Sequence, residues 1–151
     1  MTEKAASLVD QAKQWATYYG DFTKGDEGAV LSVPLRIRAA WDRNDADAFA
    51  SVFVESGSML VGDEQLKGRD AIRSYMADGF QGELKGAKLT EEPVKIKMIA
   101  KDVAVAITVG GVLKAGETTL PRDREVRATY VVVRQDGNWW LVSHQTSPIK
   151  G

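Results

Sequence analysis

A chain of 151 residues with 44% hydrophobic and 27% charged side chains suits one globular domain, and it has no apolar run near the roughly 20 residues a bilayer span requires. Zero cysteines and a single histidine, His144, exclude disulfides, thiol nucleophiles and the usual imidazole set of a catalytic zinc, so neither a metal nor a cofactor is expected. A net charge of -1 with scattered lysines and arginines leaves no footprint for nucleic acid, and the opening "MTEKAASLVDQAKQW" lacks a secretory layout, so a cytoplasmic location is expected.

Leu8, Ala12, Trp15, Ala16 and Tyr19 recur at helical spacing before Gly20 and predict an amphipathic helix over 3–19, within an extension of residues 1–25. The rest, 26–151, reads as one domain. Val30, Val33, Ile37, Ala40 and Trp41 predict a second helix over 26–42. Pro34 either kinks it or lies in the first turn of a helix beginning near Ser32, and the kink is preferred. "NDADAFASVF" predicts a third helix, capped by Asn44 or Asp45, with Phe49, Val52 and Phe53 inward.

Next come a strand carrying Met59 and Val61, a Gly62-Asp63 turn and a short return. "GRDAIRSYMADGF" predicts a helix with Ile72, Tyr75, Met76 and Phe80 on one face. The period then changes to two through "PVKIKMIA", "DVAVAITVGGVL", "EVRATYVVVRQ" and "NWWLVSHQTS", four strands of an antiparallel meander. Gly110-Gly111 suggests a bulge, and Asp136-Gly137 a tight hairpin turn. The layout is α+β, a curved antiparallel sheet covered by the N-terminal helices.

The W-x3-D-A pattern from Trp41 to Ala46, the run Gly68-Arg69-Asp70-Ala71-Ile72 and the turn from Asp136 to Trp140 resemble the SnoaL-like members of the NTF2-like superfamily. More closely, the order resembles the SgcJ/EcaC type of accessory protein of enediyne antibiotic biosynthesis, over roughly 26–148. The resemblance implies an NTF2-like (cystatin-like) cone that encloses a small-molecule pocket, usually as a homodimer packed through the outer sheet face. It also implies an enediyne polyketide synthase and its thioesterase as pathway partners.

A two-residue turn at Asp136-Gly137 pairs Gln135 with Asn138, and counting back places Thr129 opposite His144. Alternation then puts Thr129, Val131, Val133, Trp140, Val142, His144 and Thr146 on one face, taken as the inner one because Arg134 falls on the other. A slip by one residue would exchange the faces. Trp41, Phe53, Met59, Tyr75 and Phe80 complete an apolar chamber suited to a hydrophobic polyene or polyketide, with Arg127 near its mouth.

Two readings of His144 stand side by side: a proton-transfer or ligand-contacting group, oriented by Thr129 with Arg127 stabilising charge, and a structural residue that fills space. Tyr75 and Tyr130 could donate to a developing enolate or merely pack. The resemblance implies an aspartate base in the cyclising and isomerising relatives. No acidic residue falls on the predicted inner face, where Asp42, Asp63 and Glu64 are the nearest, and Glu91-Glu92 reads as a solvated strand entrance. "DRNDADAFASVF" fails as a calcium loop, since Asp47 replaces the required glycine and Phe53 the bidentate glutamate. Three function classes follow: a cyclase or isomerase acting on a polyketide intermediate, a carrier or chaperone that shields it, and an interaction module of the biosynthetic complex.

Overall fold

The computed structural model describes residues 25–61 and 63–149, so the helix predicted over 3–19 lies outside the described residues. Helices α1 (Gly25–Val30) and α2 (Ser32–Asp42) are separate, with Leu31 as a turn between them. Pro34 stands in the first turn of α2, where its missing N–H breaks no helical bond, so the chain adopts the second alternative and not the kink. Asp45 caps α3 (Ala46–Ser51) by accepting from the Ala48 N–H at 2.9 Å. Asn44 instead ties α2 to the start of the sheet, its side-chain amide donating to the carbonyls of Trp41 and Ala87.

The hairpin of β1 (Phe53–Val61) and β2 (Glu64–Lys67) places Val61 opposite Glu64. Helix α4 (Arg69–Gln81) buries Ile72, Met76 and Phe80. The strands β3 (Lys88–Ala100), β4 (Val103–Leu113), β5 (Val126–Gln135) and β6 (Asn138–Pro148) run as an antiparallel meander, and β3 starts well before the predicted Pro93. The described strands form one six-stranded sheet in the order β2-β1-β6-β5-β4-β3, in which β1 lies parallel to β6.

The helices cover one face of this sheet. Ala104, Ala106 and Thr108 of β4 and Ala128, Tyr130 and Val132 of β5 point into the core, while Val105, Ile107, Val131 and Val133 form a half-buried apolar row outside. Gly110 and Gly111 pair regularly with Glu91 and Thr90, so the predicted bulge is absent there. The bulged residues lie on β3 instead, at Val94 and Ile99, and both side chains are exposed. A further bulge falls at Val142 of β6, between the pairs Val131-Ser143 and Val132-Leu141.

Candidate functional site

Between the helices and the inner sheet face lies a cavity of about 460 Å³. Ile37 and Trp41 descend from α2, and Tyr75 and Met76 from α4. The Trp41 ring is braced edge-on by Phe80 at 5.3 Å. Gly110, Gly111 and Ala128 make the floor, and side chains this small leave the space above the sheet unfilled. At the mouth, Lys114 and Arg124 flank the loop between β4 and β5. Glu117 closes that loop, accepting from Arg124 Nη2 at 2.6 and 2.5 Å and from the Lys114 N–H at 2.6 Å.

Glu91 is the acidic residue of the cavity wall, and the sequence reading of it as a solvated strand entrance is overturned. On β3, Glu91 and Pro93 both turn inward, and Glu91 is only 5% exposed. Its Oε1 accepts from the Thr108 hydroxyl at 3.2 Å and from the Tyr130 hydroxyl, while its Oε2 is buried without a partner. Burial pushes the carboxyl up to about 7, against the opposing pull of the Tyr130 and Thr108 hydrogen bonds and of the Arg38 charge. Burial, followed by the Glu91 charge, holds the Tyr130 hydroxyl well above the usual phenol value, so it stays a neutral donor. A carboxyl that titrates near neutrality in an apolar cavity can both take and return a proton there.

His144 lines the cavity from β6. Its register partner is Tyr130, not Thr129: the Val142 bulge adds one residue to β6, so alternation predicts the wrong parity for β5. The imidazole stands 4.6 Å from the Tyr130 ring at 60°. Burial lowers its pKa to about 4, so the ring is neutral at pH 7. Beyond the bulge Thr146 also reaches the cavity.

Of the other sequence candidates, Trp41, Met59 and Tyr75 line the cavity, and the rest do not. Thr129, opposite Gln145, and exposed Arg127, opposite Ser147, lie on the outer face with Val131. Val142 is the bulged residue. Trp140 lies under the Arg36 guanidinium, 5.2 Å from the ring centre, and its indole donates to the Gln135 carbonyl. Phe53 sits in the solid core against Phe49, and Phe80 supports Trp41 from behind. Glu91 shares its face with Leu89, which also lines the cavity, but the Val94 bulge breaks the alternation that would link both to inward Ile96.

The sequence pattern of the SnoaL-like domain matches residues 30–150. The chain belongs to the SnoaL-like family. Three solved structures show the same fold. A cystatin-like domain of unknown function from Nostoc punctiforme superposes with a TM-score of 0.74 at 25% identity, covering 82% of this chain and 76% of that one. An NTF2-like protein from Novosphingobium aromaticivorans gives 0.71 at 23% identity, with 83% of each chain covered. A cystatin-like protein from Caulobacter vibrioides gives 0.67 at 22%, covering 80% of this chain and 87% of its own. No curated protein matches the sequence significantly. Among the described residues of this SnoaL-like domain, no helix is long and apolar enough to cross a membrane.

The two shifted groups of the SnoaL-like domain make opposite contributions to its stability. Glu91 moves from 4.5 up to about 7, so its contribution is complete below 4.5 and is lost as pH rises through 7. His144 moves from 6.5 down to about 4, so its contribution is complete above 6.5 and is lost as pH falls through 4. Each amounts to about 3 kcal/mol, and between pH 4.5 and 6.5 they nearly cancel. Urea melts should therefore show a nearly flat wild-type profile in that window. Glu91→Gln should become more stable with rising pH and His144→Phe less stable. Flat profiles for both variants would contradict the two shifts.

Proposed function

We propose that this SnoaL-like domain binds an apolar, unsaturated intermediate of the polyketide type and moves a proton on it through Glu91, as an isomerase or cyclase does. One observation carries the reading: a carboxyl with a pKa of about 7 sits on the wall of a largely apolar cavity, held by two hydroxyls that leave its second oxygen uncommitted. As carboxylate, Glu91 takes a proton from a carbon next to a carbonyl. As acid, it returns that proton to another carbon of the conjugated system, and the formula of the ligand is unchanged. Tyr130 and Thr108 position the carboxyl, and the role first given to His144 passes to Glu91.

The motif resemblance supports a place in enediyne antibiotic biosynthesis, in the cytoplasm, beside the polyketide synthase and its thioesterase. The half-buried apolar row of Val105, Ile107, Val131 and Val133 supports a homodimer packed through the outer sheet face. The rival reading is a carrier that shields the intermediate without reacting. Product profiles of a strain lacking the gene, complemented with wild type, Glu91→Gln or Trp41→Ala, separate the two. Proton transfer requires that Glu91→Gln fail to restore product. Full restoration by Glu91→Gln together with failure of Trp41→Ala would establish the carrier.

A further inference from the structure

Resting on the reading of this cavity as the ligand site, the geometry points to a ligand with two oxygen functions, an elongated apolar body held at one end by Glu91 and at the other by His144. His144 is the sole histidine of the chain, and it lies on the cavity wall. Among the described residues neither ring nitrogen has a hydrogen-bond partner, and Nδ1 is buried. A neutral imidazole offers one donor and one acceptor, and leaving Nδ1 unmet in an apolar wall is unfavourable. Leucine or phenylalanine would fill the same space without that cost, so packing alone gives no reason for a histidine. Glu91 repeats the pattern, since its Oε2 is buried and unpartnered on the same cavity.

Tyr130 sets the spacing. Its ring meets the imidazole at 4.6 Å and its hydroxyl meets the Glu91 carboxyl, so its side chain runs from one polar group to the other. The separation along this path is at most on the order of 9 Å, made up of the ring contact, the outer half of the tyrosine and one hydrogen bond. The cavity wall around them is alkyl and aromatic, from Ala128, Met59, Ile37 and Trp41. A carbonyl or hydroxyl suits His144 equally, because the neutral ring can donate to one and accept from the other.

Titration calorimetry with 2-naphthol and naphthalene-2,6-diol tests this on the unaltered protein. The second hydroxyl makes the diol the less hydrophobic compound, so a bare apolar cavity would bind it no more tightly. Two-point contact predicts roughly tenfold tighter binding of the diol. His144→Phe should bring the diol down to the naphthol value and leave naphthol unchanged. Equal affinities on wild type, or an equal loss of both compounds in His144→Phe, would overturn the inference while leaving the cavity as the ligand site. Failure of both compounds to bind wild type would overturn the cavity reading and the inference together. Should His144→Phe not fold, the wild-type comparison still decides.

Discussion

Glu91→Gln is expected to slow conversion of the pathway intermediate by roughly 10²- to 10⁴-fold, the usual contribution of a positioned general acid or base. The amide keeps the shape of the carboxyl, and its oxygen still accepts from Tyr130 and Thr108, so circular dichroism should be unchanged. The affinity profile gives a second readout. A neutral apolar ligand displaces water from around Glu91, which disfavours the carboxylate further, so wild-type affinity should fall as pH rises above about 7. The Gln variant should be flat across that range and should bind better than wild type at pH 8. An undiminished single-turnover rate in the folded variant would remove Glu91 from the chemistry.

Gly110→Ala is expected to be the most damaging methyl addition in the sheet. A Cβ there would lie 1.8 Å from the Thr90 carbonyl oxygen and 2.8 Å from the Glu91 Cα, both on a paired strand that has no room to retreat. The loss should exceed about 3 kcal/mol, well outside the range of an ordinary surface change. It would also displace Glu91, the register partner of Gly110. Gly116→Ala is the control. Its φ of +84° disfavours a side chain, but nothing lies within 4 Å, so about 1–2 kcal/mol is expected. Denaturant melts of the two variants give the comparison, and equal losses would refute the steric account.

The fold was legible because its determinants are local. Helical spacing in α2 and α4, the Asp45 cap and the Asp136-Gly137 turn, with φ of 54° and 79°, each act over a few residues. Trp41, Met59 and Tyr75 were legible as cavity residues for the same reason. The polar end of the cavity was not. Its members lie on four strands, and their meeting depends on bulges at Val94 and Val142 that alternation does not encode. Glu91 was hidden by its neighbours, since two glutamates before a proline resemble a solvated turn. Thr108 was the overlooked hint: it continues the inward row of Ala104 and Ala106, where a lone hydroxyl calls for a polar partner.

The extra residue at Val142 has a consequence for how such a scaffold diversifies. Leu141 and His144 share a face only because the strand miscounts once between them. Straightening that bulge with the residue retained would send the imidazole to the opposite side and present Ser143 in its stead, with Glu91 untouched, whereas deleting the codon would keep the imidazole inside on a regular strand. Relatives could thus exchange the chemistry of this wall through a shift of strand pairing alone, leaving a trail that comparisons of residue type would miss.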